Sequence, residues 1–165
     1  MSQPENNFEI KFATREDVPV IHELINRLAE YEKLTHEVTG TVEMLETSLF
    51  GQNSNINAIV GFEEGTPVGF ALYFYNYSTF LGKKGLYLED LFVLPECRGK
   101  GYGKKLLAKL ASIAVSENCG RFEWSVLDWN EPAINFYKSL GAKPMDEWTV
   151  FRMTEEKINE LAKQL

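Results

Sequence analysis

The stretch Leu86-Tyr87-Leu88-Glu89-Asp90-Leu91-Phe92-Val93 is an apolar run with two adjacent acids, and it leads within a few residues into Cys97-Arg98-Gly99-Lys100-Gly101-Tyr102-Gly103-Lys104. The first part reads as a strand. The glycine-rich basic turn then opens a helix, expected from residue 105 to near 115. This order constrains the fold, because the helix must pack back on a sheet and the turn must bend through glycines, which take positive φ without steric cost. It also constrains the chemistry. The N–H groups that open a helix lack intrahelical partners and lie at the positive end of its dipole. With Arg98, Lys100, Lys104 and Lys105 adding charge, a pyrophosphate fits there. Two better-known phosphate loops are excluded. Neither Gly99-Lys100 nor Gly103-Lys104 is followed by Ser or Thr, as a P-loop requires, and the G-x-G-x-G spacing is not the dinucleotide G-x-G-x-x-G.

Elsewhere the pattern reads as a strand over 8–13, where apolar and polar residues alternate. Thr14 and Asp17 then open a helix with Val18, Ile21, Ile25 and Leu28 on its core face, reaching residue 34. A short helix follows over 42–50. Strands over 57–62 and 67–76 flank a hairpin turn at Glu63-Glu64-Gly65-Thr66, and a third strand spans 86–94. After the basic turn and its helix come a strand over 121–128 and a helix over 131–140 stopped by Gly141. A strand over 148–153 and an amphipathic helix over 154–165 close the chain. The order β-α-α-β-β-β-α-β-α-β-α predicts an α/β (α+β) fold with a mixed central sheet and helices on both faces. The 165 residues suit one domain, 1–165, with no linker or repeat.

No apolar run is long enough to span a membrane and no signal peptide is apparent, so a cytoplasmic protein is expected. Cys97 and Cys119 form no metal or redox spacing, and no metal site is expected. A net charge of −7 argues against nucleic acid as the main partner and suits a small cationic substrate.

Glu89 and Asp90 carry the first chemical signal. Strand neighbours point to opposite faces, so each acid is expected among large apolar residues, where an unpaired charge is costly. One reading is a base that removes a proton from a substrate ammonium, directly or through water. The other is a carboxylate paired with a buried Arg or hydroxyl. The second signal is Asn130-Glu131-Pro132-Ala133, an N-cap and first helical turn, with Tyr137 near mid-helix.

Arg98-x-x-Gly101-x-Gly103 resembles the acyl-CoA signature of the Gcn5-related N-acetyltransferase (GNAT) superfamily, and Asn130, Ala133 and Tyr137 resemble its N-x-x-[AS]-x-x-x-Y pattern. The resemblance implies a GNAT fold, acetyl-CoA as co-substrate and a homodimer. It implies that Leu91, Phe92 and Val93 hold the acetyl-pantetheine end through their backbone, that Arg98, Gly99, Lys100, Gly101, Tyr102, Gly103 and Lys104 hold the pyrophosphate, and that Asn130, Glu131, Pro132 and Ala133 lie along the pantetheine arm. Tyr137 would protonate the leaving thiolate. A thiol of pKa about 8.5 and a phenol of about 10 make that transfer only modestly uphill.

Leu28-Ala29-Glu30-Tyr31-Glu32-Lys33-Leu34, the strand over 86–93 and the segment from Trp129 to Lys138 further resemble the spermidine/spermine (diamine) and thialysine N-acetyltransferases. This implies Glu89 as the base acting through water, with Tyr31, Glu32, Asp90, Ser78 and Trp148 about the amine. Ser78 stands where polyamine acetylators carry an Asp, which weakens the case for spermidine and brings a smaller amine, diamine or basic amino acid analogue forward. The expected function is acetyl transfer, by direct attack, onto a primary amine of a small cationic substrate. A protein or peptide N-acetyltransferase and a non-catalytic CoA-binding module are the alternatives.

Overall fold

The computed structural model describes residues 7–165 in two compact units, divided between Ser125 and Val126. The first unit is a five-stranded sheet, β1 (Phe8–Phe12), β2 (Ile56–Glu63), β3 (Thr66–Ser78), β4 (Lys83–Val93) and β5 (Arg121–Trp124), in that spatial order. The first four strands are antiparallel and β5 runs parallel to β4. A parallel neighbour needs a crossover, and helix α3 (Tyr102–Ser116) supplies it. Helices α1 (Val18–Glu32) and α2 (Val42–Phe50) lie between β1 and β2 in the chain.

Each face of the sheet is covered by the residues whose period demands it. On one face Val18, Ile21 and Leu24 of α1 and Leu49 of α2 pack with Ala58, Val60, Phe70, Leu72 and Phe92, all buried. Ile25 and Leu28, expected on the same stripe, are partly buried against this cluster. Leu106 of α3 lies against the opposite face, 3.7 Å from where a Cβ on Gly61 would stand. Ile59 and Ala71, which alternate with the first set, are fully buried.

Local chemistry sets the ends of these elements. The N–H and hydroxyl of Thr14 both donate to the Asp17 carboxylate, at 2.7 and 3.0 Å, and α1 follows at Val18. It stops two residues before the expected limit because Lys33 turns left-handed at φ 61°, and the Leu34 N–H then closes on the Ala29 carbonyl. The β2–β3 turn is as expected: Glu64 and Gly65 both have positive φ, the form that matches strand twist. Helix α3 begins one turn earlier than expected, directly after Gly101 at φ 80°.

Two features depart from expectation. The rungs Leu72↔Asp90 and Tyr73↔Leu88 leave Glu89 without a partner, a β-bulge in β4. Beyond β5, which is shorter than expected, the second unit holds α4 (Glu131–Ser139) and α5 (Glu155–Ala162) but no strand over 148–153. That segment finds no ladder partner among the described residues. Trp148, Val150 and Phe151 are exposed, and strand propensity alone does not satisfy backbone groups. Among the described residues no helix is long and apolar enough to cross a membrane.

Gly69 of β3 sits opposite Val93 at the end of β4. A Cβ there would stand 2.7 Å from the Phe92 carbonyl oxygen and 3.2 Å from Val93 Cγ2. Backbone cannot swing aside as a side chain can, so Gly69→Ala is expected to cost about 1–3 kcal/mol, read as a lower urea midpoint at unchanged slope.

Candidate active site

The bulge decides how the acids of β4 are presented. Because Glu89 is the extra residue, Leu88 and Leu91 keep their side chains on the α3 face, and Asp90 falls on the α1 face with Leu72 and Phe92. Glu89 is exposed rather than set among apolar residues, and Asp90 is half-buried. Burial, then the nearby charges of Glu89 and Glu32, push the Asp90 carboxyl up to about 6. Glu32, the last residue of α1, is itself pushed up by desolvation. The three carboxylates therefore share one electrostatic environment, which a substrate ammonium would relieve.

The sheet also opens at the bulge. β5 pairs with β4 only from Gly85 to Leu88, so the β4 edge over Glu89, Asp90, Leu91, Phe92 and Val93 has no strand beside it among the described residues. Backbone donors and acceptors along that edge can pair with the amides of an extended ligand. Arg98 joins this edge to α1. Its Nε donates to the Val93 carbonyl at 3.1 Å, and its guanidinium carbon lies 4.5 Å from the Tyr31 ring centroid and 5.4 Å from that of Phe92. The guanidinium thus has structural work in addition to the phosphate contact expected of it.

The turn after β4 has the form an anion requires. Gly99 and Gly101 are left-handed at φ 79° and 80°, and no atom stands within 4 Å of where a Cβ would sit on Gly99, Gly101 or Gly103. Side chains at Gly99 and Gly101 would be strained. The N–H groups of Gly103 and Lys104 open α3, and the Lys104 side chain is exposed. These residues fit a pyrophosphate. Tyr102 contributes only backbone to such a site. Its ring is buried, stacked on Phe8 at 3.9 Å. Its hydroxyl donates to Glu63 at 2.5 Å, and Lys100 also binds Glu63, at 2.6 Å.

Ser78 is not brought to this cluster. Its rung, Ser78↔Lys83, lies five residues along β3 from Tyr73↔Leu88, about 17 Å by strand rise. The side chain is buried in the hairpin, and its hydroxyl accepts the Leu81 N–H at 3.2 Å. In the second unit the Asn130 side chain caps α4 by accepting the Ala133 N–H at 3.4 Å, with Glu131 and Pro132 in the first turn. Tyr137 lies near the middle of α4, half-buried, its ring 5.6 Å from that of Phe136. Trp148 is exposed in the irregular segment after α4. No group of three or more His, Cys, Asp or Glu side chains able to hold a metal occurs among the described residues. Sequence reasoning missed the bulge, of which the adjacent acids were the only trace, and it missed Glu63, which it placed merely in a turn.

Residues 21–142 match the acetyltransferase (GNAT) family, so the match extends across the division between the two units. The chain is 40% identical over 164 residues to the thialysine N-epsilon-acetyltransferase of Mus musculus, covering 93% of this chain and 96% of that protein. It is 33% identical over 199 residues to the L-ornithine N5-acetyltransferase of Arabidopsis thaliana, covering 93% and 87%. Among solved structures, an integron cassette protein from the mobile metagenome of V. cholerae superposes with a TM-score of 0.79 at 30% identity, covering 94% of this chain and 98% of that one. The chain belongs to the GNAT acetyltransferase family, and it is an N-acetyltransferase.

The raised Asp90 gives a pH signature. Its unfolded value is near 3.8 and its folded value about 6. Between those values the native state holds the proton and the unfolded state does not, so stability falls as pH rises through that window. Asp90→Asn is therefore expected to unfold about 2–3 kcal/mol less readily than the parent at pH 7.5 and to lose most of that advantage by pH 4. Urea titrations of both proteins from pH 4 to 8 measure the difference.

Proposed function

We propose that this domain, 1–165, transfers the acetyl group of acetyl-CoA directly to the terminal primary amine of a short cationic molecule. The observation that carries this reading is the β4 bulge. It puts Glu89, Asp90 and Glu32 in one acidic cluster beside an open backbone edge, and that edge leads straight into the Gly99–Lys100–Gly101 turn. Acetyl-CoA, when bound, supplies the activated thioester. Arg98, the turn glycines, Lys100 and Lys104 hold its pyrophosphate, and Leu91, Phe92 and Val93 hold its acyl end through their backbone.

The exposed Glu89 carboxylate takes a proton from the substrate ammonium through water, leaving an amine lone pair free to attack. Asp90 and Glu32 raise the local negative potential and so favour a cation in the site. Backbone N–H groups near Leu91 stabilise the charge that develops on the carbonyl oxygen. Tyr137 holds a transferable proton on its phenolic oxygen for the leaving sulfur. Tyr31 and Trp148 offer aromatic surface to the cation.

Two of the relatives are named for the Nε of thialysine and the N5 of L-ornithine, both side-chain amines of basic amino acids. This supports a basic amino acid or its analogue ahead of a polyamine. We further propose a homodimer, for which light scattering on the purified chain is the measurement.

CoA release from acetyl-CoA is the direct test, across thialysine, ornithine, lysine, putrescine, spermidine, spermine, short peptides and a no-amine blank. Saturable turnover is expected with the basic amino acids. Turnover with peptides alone would move the chain to protein acetylation. Blank-level release throughout, with acetyl-CoA still bound, would leave only a CoA-binding module.

Two variants test the roles of single residues. Tyr137→Phe is expected to lower kcat about 10²-fold with little change in acetyl-CoA affinity. Glu89→Gln is expected to lower the rate most below pH 8, where free amine is scarce. A pH–rate profile identical to the parent's would remove Glu89 as the base.

A further inference from the structure

One carboxylate outside the glycine turn gathers three of its side chains. Glu63 ends β2, at the β2–β3 hairpin, more than thirty residues before the turn. Its Oε1 accepts hydrogen bonds from Lys100 Nζ at 2.6 Å and from the Tyr102 hydroxyl at 2.5 Å. The Cys97 thiol points at its Oε2 from 3.7 Å. The three donors span the turn, with Gly99 and Gly101 between them, the two positions at φ 79° and 80°.

The tie is firmer than an ordinary surface ion pair. The Glu63 side chain is only 17% exposed, and its bonds to Lys100 and Tyr102 are charge-assisted. Lys100 and Tyr102 hold its carboxyl below the usual range, so it stays ionised at neutral pH. Tyr102 is fixed from a second side by its stack on Phe8, while Lys105 lies 5.5 Å from the Phe8 centroid. The glycines supply the shape of the turn but also its freedom, since glycine loses more conformational entropy on ordering than any other residue. A turn left loose would have to be ordered by its ligand, at a cost in affinity. Glu63 removes part of that freedom through its bonds to Lys100 and Tyr102.

We infer that Glu63 is a positioning residue for the cofactor site. Through Lys100, Tyr102 and Cys97 it holds the Gly99 and Gly101 backbone in the conformation that receives the pyrophosphate of CoA. This rests on the reading of the turn as the CoA site. It assigns no contact between Glu63 and the ligand, and it predicts an effect on CoA alone, leaving the amine untouched.

The test uses the full chain and three proteins: parent, Glu63→Ala and Glu63→Gln. CoA affinity is measured by calorimetry, turnover by CoA release, and amide exchange over 99–103 by mass spectrometry. Glu63→Ala is expected to weaken CoA about tenfold and to raise KM for acetyl-CoA in proportion, with kcat at saturation and KM for the amine within about twofold of the parent. Exchange over 99–103 should quicken. Glu63→Gln keeps an acceptor for the Tyr102 hydroxyl and should recover part of the lost affinity while folding as the parent does. Unchanged CoA affinity in both variants would overturn the inference alone. Tighter binding in both would also overturn it, because Glu63 would then be a competitor for Lys100 rather than a brace. No CoA binding by the parent would overturn the reading of the turn, and the inference with it.

Discussion

One unpaired residue in β4 governs the rest of the site. With Glu89 outside the ladder, the strand resets its alternation. Leu88 and Leu91 both stay under α3, and Asp90 joins Leu72 and Phe92 beneath α1. The pairing with β5 also ends at Leu88, where β5 itself ends, and this frees the backbone edge beyond it. A regular strand would have kept both acids in simple alternation. The bulge and the end of β5 therefore set an acidic cluster and an accessible line of peptide groups side by side.

The remainder of the first unit holds that geometry in place. The buried cluster of α1, α2 and the sheet fixes one face, and α3 fixes the other. Two polar ties then connect the ends of distant elements. Arg98 links Val93 to Tyr31 at the end of α1, and Glu63 links the β2–β3 hairpin to the turn before α3. In both cases a side chain from the basic turn is used to build the site rather than simply to charge it. Positive charge in a phosphate-binding turn must still be anchored, because a long flexible cation gives up side-chain entropy when it is ordered.

Much of this was legible in the order of residues. Helix α2, the Glu64-Gly65 hairpin and the core stripe of α1 follow from hydrophobic period and turn chemistry, which act over a few residues. The turn glycines were legible because only glycine serves at φ near 80°. The strand expected over 148–153 failed because a strand depends on a partner that its own sequence does not supply. Ser78 lies away from the acidic cluster for a related reason. Its neighbourhood is set by strand register, which places it at the far end of the hairpin with its hydroxyl already used.

By itself the sequence determined the helices and most of the strands, where the chain turns, and which residue types were on hand for acyl transfer to an amine. Only the tertiary structure decided which of the paired acids is exposed and which is half-buried, and that the Asp90 carboxyl lies near 6. It alone showed that Lys100 and Tyr102 answer to Glu63. The physical reason is range. Backbone preference and periodicity act between neighbours in the chain, whereas desolvation, charge coupling and strand register depend on groups that only folding brings together.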